Sequence, residues 1–322
     1  MPLRVALLDD FQGAFAALDG WAALGPDIVV VPFRDHVVDA GALAARLEPF
    51  DAVIAIRERT ALRREVLERL PRLRLVVTLG MANASIDLEA AHHLGIVVCG
   101  TATTFGVPAT VELTWALILG LARGLHHEDA AIRAGAWQIG MGTVLAGKTL
   151  GLVGLGTFGS LVAPIGRAFG MDVVAWSEHL TDERAAALDV VRLDRATFFQ
   201  SADVVSVHVK LSERSRGYVR RDDLRAMKPT ALFVNTSRGA VVDEAALVEA
   251  LRDGWIAGAA LDVFVEEPLP ADHPLRHAPN TLLSPHIGWV SRESYRDHAA
   301  QVAEDLRAFV AGVPVRVLTG TG

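Results

Sequence analysis

An α/β fold with two doubly wound parallel sheets is what this sequence predicts, and three observations predict it. Over the first hundred residues, short β-branched runs alternate with stretches rich in alanine and leucine. A long helical region then interrupts the pattern, and the alternation resumes behind a glycine-rich turn. Strands that alternate with helices specify parallel sheets covered on both faces.

The first set of strand candidates is Val5–Leu8, Ile28–Val31, Ala52–Ile56, Leu75–Leu79 and Ile96–Cys99, with helical stretches Gly41–Leu47, Arg63–Leu70 and Ile86–Leu94 between them. Five such units describe a flavodoxin-like domain. Thr110 to Gly135 reads as helical, broken near Gly124. The second set is Thr149–Val153, Val173–Trp176, Val204–Val207, Leu232–Asn235, Ala259–Leu261 and Thr281–Leu283. Six parallel strands opened by a glycine turn describe a Rossmann-type, dinucleotide-binding sheet. Ser291–Val310 is an amphipathic helix with no strands of its own, so it is expected to return to the first domain. The expected division is residues 1–100 plus 290–322 for a discontinuous substrate domain and 101–289 for the dinucleotide-binding domain.

Composition narrows the function classes. The 322 residues carry a formal charge of −7, which argues against a nucleic-acid-binding face. The single cysteine, Cys99, rules out an intrachain disulfide and a cysteine-based metal cage, and it reads as a small buried residue at a strand end. The apolar stretch Trp115–Ala122 is too short to span a bilayer. No signal-peptide pattern opens the chain, so a cytoplasmic location is expected.

Gly154, Gly156 and Gly159 form Gly-x-Gly-x-x-Gly between an apolar strand and a helical stretch, with Thr157 and Phe158 inside the motif. That context makes the motif a nucleotide cradle: a tight turn, a close backbone approach to pyrophosphate, and a helix N-terminus that favours an anion. The next strand ends in Trp176-Ser177-Glu178. Ser177 stands where an acidic residue usually binds the adenosine ribose, but the Glu178 carboxylate should repel a 2′-phosphate and no arginine is near in sequence. NAD is expected, and NADP stays open.

Three later strands end in polar clusters: Asn235-Thr236-Ser237-Arg238-Gly239, Asp262 through Glu267-Pro268, and Ser284-Pro285-His286-Ile287-Gly288. On a parallel sheet they gather at the carboxyl edge, where ligands bind. With the glycine motif, and with Val242-Asp243, these four motifs in this order resemble the D-isomer-specific 2-hydroxyacid dehydrogenases over essentially the whole chain. The resemblance implies that Arg238 grips the substrate carboxylate and carbonyl oxygen, that His286 is the acid–base group, and that Glu267 orients it. It also implies that Asp262 meets the nicotinamide carboxamide and that His208 and Thr236 neighbour the cofactor. Chemistry agrees, since a guanidinium suits paired hydrogen bonds and a carboxylate favours imidazolium. Each residue singly has a structural reading; the three together at neighbouring strand ends favour catalysis.

The Gly80–Ser85 loop, with Met81 and Ala82, is expected to offer N–H groups to a substrate carboxylate, and Arg57 to bind a second anionic group or to be salt-bridged. Trp289 follows the His-Ile-Gly run, where it shapes the pocket or packs at the hinge. Asp9-Asp10 reads as a cap for the following turn. The pairs His92-His93 and His126-His127 read as surface histidines rather than metal ligands, and no metal is expected. The expected activity is reduction of a short 2-keto acid such as glyoxylate, hydroxypyruvate or pyruvate. Alternatives are a phosphoglycerate- or phosphite-type dehydrogenase, or an NAD-sensing corepressor-like module. A homodimer through residues 110–137, with Trp115 and Trp137, is expected from the family and from the apolar character of that segment.

Overall fold

The computed structural model describes residues 1–18, 21 and 24–319. The chain divides into two compact units, one of residues 1–105 and 290–322, the other of residues 106–289.

The first unit carries β1 (Leu3–Leu7), β2 (Ile28–Pro32), α1 (Ala40–Leu47), β3 (Ala52–Ala55), α2 (Arg64–Leu67), β4 (Leu75–Leu79), α3 (Leu88–His93) and β5 (Val97–Thr101). Its sheet runs β2-β1-β3-β4-β5 and every pairing is parallel. That is the flavodoxin order. β3 and β4 are buried along their whole length, which explains why their sequences are near-continuous apolar runs, interrupted by Thr78 in β4, rather than alternating ones. Asp39 and Asp87 cap α1 and α3 through the N–H groups of Ala42 and Ala90, each at 2.8 Å. The helix expected over Arg63–Leu70 closes after Leu67 and continues as turns.

The second unit opens with α4 (Gly106–Ala122) and α5 (Leu125–Arg133), separated at Gly124, whose φ of 60° ends one helix and starts the next. Then come β6 (Thr149–Val153), α6 (Thr157–Ala168), β7 (Asp172–Trp176), α7 (Asp182–Ala186), β8 (Val191–Arg192), α8 (Arg195–Ser201), β9 (Val204–Val207), α9 (Arg221–Ala226), β10 (Leu232–Asn235), α10 (Glu244–Arg252), β11 (Gly258–Leu261) and β12 (Thr281–Leu283). The sheet order is β12-β11-β10-β9-β6-β7-β8. Six strands were expected; the seventh, β8, has two residues and leaves no periodicity to read. The order reverses at β6, flanked by β9 and β7, and a parallel sheet offers its ligand crevice at such a switch point.

α4 is a core helix. Trp115 is buried against Phe169, with ring centroids 5.0 Å apart. It therefore serves its own unit, which corrects its expected place in a dimer contact. The exposed apolar side chains lie further on, at Leu125, Ile132, Trp137, Ile139, Met141 and Val144. His126 is half-buried rather than fully on the surface: both ring nitrogens are covered, and the ring lies tilted against His127 with centroids 3.9 Å apart.

The chain returns to the first unit as α11 (Arg292–Val310), capped by Ser291. The following segment covers the open edge of β5, with Gly100 N donating to Arg316 O at 3.0 Å and Leu318 N to Val98 O at 2.8 Å. Cys99 is sealed beneath it, and burial pushes its thiol up to about 12. It remains an unreactive thiol at neutral pH. Among the described residues no helix is long and apolar enough to cross a membrane, and no cluster of His, Cys, Asp or Glu could hold a metal ion.

Candidate active site

The glycine motif forms the turn between β6 and α6. Gly154 has φ +95°, and its N–H donates to Trp176 O at 2.9 Å, which ties the turn to the neighbouring strand. A Cβ on Gly159 would lie 2.2 Å from Gly154 O, so only glycine lets α6 start this close to β6. A Cβ on Gly156 would meet no heavy atom within 4 Å. Gly156 is also the N-cap of α6, and it offers no side-chain cap to the first N–H groups, beginning at Thr157. Open space before uncapped N–H groups fits a pyrophosphate. Phe158 packs on the core beside the turn.

His208 is buried beneath the turn, with its carbonyl 3.1 Å from the Cβ position of Gly154. Its Nε2 pairs with Ser206 Oγ at 2.9 Å, and burial pushes the imidazole down to about 4. In the first unit His298 behaves alike: Nδ1 pairs with Thr101 Oγ1 at 2.7 Å, and burial followed by the nearby Arg57 charge pushes it down to about 4. An unfolded histidine titrates near 6.5. Each therefore adds stability that is complete above about pH 6.5 and is lost as pH falls towards about 4. Unfolding free energy should decline in that window by up to about 1.4 kcal/mol per pH unit for each group. Denaturant titrations of the protein and of His208→Asn test this; equal slopes in both would contradict it.

At the end of β7, Ser177 is half-buried and Glu178 is exposed. An arginine does reach this rim, contrary to the linear reading: α7 brings Arg184 Nη2 to 3.4 Å from the Leu155 carbonyl, inside the glycine motif.

The three polar clusters follow β10, β11 and β12, which are adjacent strands in parallel register. Asn235 shapes the first. Its Oδ1 accepts from Ser237 N at 2.9 Å and its Nδ2 donates to Arg238 O at 3.1 Å, which closes the turn that carries Arg238, whose Nη1 donates to Ser237 O at 2.8 Å. Thr236 is buried and pairs with Thr114 Oγ1 at 2.9 Å, so it anchors the turn to α4. Gly239 allows the loop after β11 to press in, since a Cβ there would lie 2.0 Å from Phe264 C. In that loop Glu267 Oε1 accepts from Phe264 N at 2.8 Å. Its Oε2 lies 2.6 Å from His286 Nδ1. With Nδ1 committed to the carboxylate, Nε2 is the nitrogen left to exchange a proton with a ligand.

His286 has φ 52°, a left-handed conformation uncommon outside glycine. Asp262 stabilises it. Oδ1 accepts from Ser284 Oγ at 2.6 Å and from Ile287 N at 2.9 Å, and Oδ2 from Gly288 N at 2.8 Å. Burial raises this carboxyl above its ordinary value. Asp262 is thus a bracket for the histidine loop.

Residues 115–288 match the model of the D-isomer specific 2-hydroxyacid dehydrogenase NAD binding domain. The chain belongs to that family. It is a nicotinamide-dependent oxidoreductase of 2-hydroxy acids. It is 41% identical over 257 residues to a glyoxylate reductase of Aeropyrum pernix, covering 77% of this chain and 76% of that one. A D-3-phosphoglycerate dehydrogenase of Bacillus subtilis is 35% identical over 271 residues, and the match covers 84% of this chain but 51% of the relative. Among solved structures, a phosphoglycerate oxidoreductase from Vibrio cholerae superposes with TM-score 0.91 at 36% identity, covering 96% of this chain and 99% of that one.

In this family member the expected substrate-loop residues lie in the first unit. Gly80 has φ +119° and opens the loop, while Met81 and Ala82 are exposed. Asn83, which no motif flagged, fixes the loop by donating to Thr78 Oγ1 at 2.8 Å and to Arg57 O at 2.7 Å. Arg57 has φ 55°, and its guanidinium approaches both Glu58, at 3.6 Å, and the space over Gly80. Asp10 caps Phe15 N and Ala16 N as expected. Asp9 binds Thr60 and His36 instead, a cluster that only the fold assembles. In the second unit Trp289 is half-buried and follows Gly288. Glu244 was also missed. It accepts from Val265 N at 3.0 Å and pairs with His273 Nε2 at 3.2 Å, bracing the loop that carries Glu267.

Proposed function

We propose that this enzyme reduces short 2-keto acids of the glyoxylate, hydroxypyruvate or pyruvate class to D-2-hydroxy acids, with NAD as its cofactor. The observation that carries the reading is the His286–Glu267 pair at 2.6 Å, on the strand ends beside the Arg238 turn. Gly154, Gly156, Gly159 and the start of α6 would hold the dinucleotide, and Ser177 its adenosine ribose. When bound, the nicotinamide supplies the hydride. Arg238 binds the keto acid through its carboxylate and carbonyl oxygen, which draws electron density from the carbonyl carbon. His286 Nε2–H gives its proton to that oxygen as the carbonyl becomes an alcohol. Glu267 stabilises the imidazolium before transfer and keeps the ring oriented after it. In the reverse direction His286 takes the hydroxyl proton. The exposed apolar residues from Leu125 to Val144 would close a homodimer, and a monomeric mass by light scattering would remove that part.

The test is a panel of 2-keto acids, phosphorylated members included, assayed with NADH and with NADPH and followed by chiral analysis of the product. Turnover of the unphosphorylated members with NADH and formation of the D product are expected. No turnover of any keto acid with either cofactor would defeat the reading, and preference for a phosphorylated acid would replace the substrate class.

A further inference from the structure

Tyr218 stands far from Ser177 in sequence, in the turn before the Val219–Val242 bridge, yet its Oη accepts the Glu178 N–H at 2.8 Å. Its ring stacks on Trp176, with centroids 4.9 Å apart and planes 22° apart. Arg195 covers the Trp176 ring at 4.7 Å and donates to Tyr218 O at 2.9 Å. The same guanidinium is forked onto Asp223 at 2.8 and 2.5 Å. Stacking, a backbone contact and a bidentate ion pair thus fix one hydroxyl against one N–H group.

With the glycine motif read as the cofactor cradle, that N–H sits past the end of the second strand, where a dinucleotide-binding sheet meets the adenosine ribose and the two forms of the dinucleotide would differ. A 2′-phosphate adds a charge of about −1.5 to −2 and strong acceptor oxygens. Backbone N–H groups in turns are among its natural partners. Here the Glu178 N–H is already used, the Arg195 fork is engaged by Asp223, and the Glu178 side chain adds a negative charge. Ser177 and Arg184 remain as donors, and Arg184 is 3.4 Å from the Leu155 carbonyl. We infer that Tyr218 is a specificity-determining residue: by occupying the Glu178 N–H it keeps this rim suited to a ribose 2′-hydroxyl and closed to a 2′-phosphate. The inference rests on reading the glycine motif as the cofactor cradle and deepens the choice of NAD.

Dissociation constants for NADH and NADPH, read by nicotinamide fluorescence without any keto acid, test it in the protein, in Tyr218→Phe and in Arg184→Ala. The unaltered protein should favour NADH by about tenfold or more, the worth of one charge-assisted hydrogen bond. Tyr218→Phe keeps the ring but frees the N–H. It should narrow that gap about fivefold or more through tighter NADPH binding, with NADH affinity nearly unchanged. An unchanged ratio, or equal weakening of both cofactors, would overturn the inference. So would an NADPH preference that disappears in Arg184→Ala, since Arg184 would then be the reader. If Tyr218→Phe fails to fold, competition in the unaltered protein still decides: adenosine 2′,5′-bisphosphate should displace NADH less well than 5′-AMP, and equal displacement would overturn it. No NADH binding at all would instead defeat the cofactor reading.

Discussion

His286→Ala should lower kcat by about 10²–10⁴-fold while leaving the NADH dissociation constant within about twofold of the original. The proposed cofactor cradle lies at Gly154–Gly159 and the start of α6, whereas His286 belongs to the loop after β12. The imidazole is also not a keystone of the core, because its side chain is 20% exposed. The loop fold depends on Asp262, whose oxygens accept from Ser284, Ile287 and Gly288 rather than from the ring. The loss therefore reports proton transfer and not collapse. Glu267→Gln is the companion variant. Glutamine can still accept from His286 Nδ1–H but no longer stabilises imidazolium, so turnover should fall less than in the alanine variant. Single-turnover kinetics with pre-bound NADH separate the chemical step from binding. A His286→Ala enzyme with unaltered turnover would remove this residue from the mechanism.

Gly239→Ala is expected to be among the most damaging single methyl groups at the described glycines. Its Cβ would sit 2.0 Å from Phe264 C, 2.2 Å from Phe264 O and 2.4 Å from Val265 N. All three are backbone atoms, which cannot swing aside as a side-chain tip would. Relief requires the Arg238 turn and the Glu267 loop to separate. Overpacking of this kind typically costs about 1–3 kcal/mol and sometimes more. A displacement of about 1 Å at a catalytic group can cost about 10²-fold in rate. Both losses should occur together: a lower midpoint in chemical denaturation, and kcat/KM reduced by about 10²-fold or more in the fraction that remains folded. Stability and turnover like those of the unsubstituted enzyme would show that the two loops are not in backbone contact.

Much of this architecture was legible in one dimension because the physics behind it is local. Alternation of apolar runs with helical stretches follows from strands buried on both faces, as in β3 and β4. The glycine motif is equally local, since turn, cradle and helix start fall within one short segment. Arg238, Glu267 and His286 could be placed at one edge because every parallel strand ends on the same side. Elements too short for a period, such as β8, and the early end of α2 were not legible. Trp115 was misplaced because apolar character does not say which face of a helix meets the core.

The sequence by itself determined the fold class and the glycine turn, since each depends on neighbours along the chain, and the family resemblance singled out His286 as the candidate acid–base group. Only the tertiary structure decided how they are held. Asp262 brackets the His286 loop across strands, Glu244 braces the Glu267 loop, and Tyr218 takes the Glu178 N–H just past the end of β7. These partners are remote in sequence, and hydrogen bonds of a few ångströms between remote residues leave no period or spacing to read. Arg184 makes the same point. The sequence showed no arginine near Ser177, yet α7 brings Arg184 to the Leu155 carbonyl.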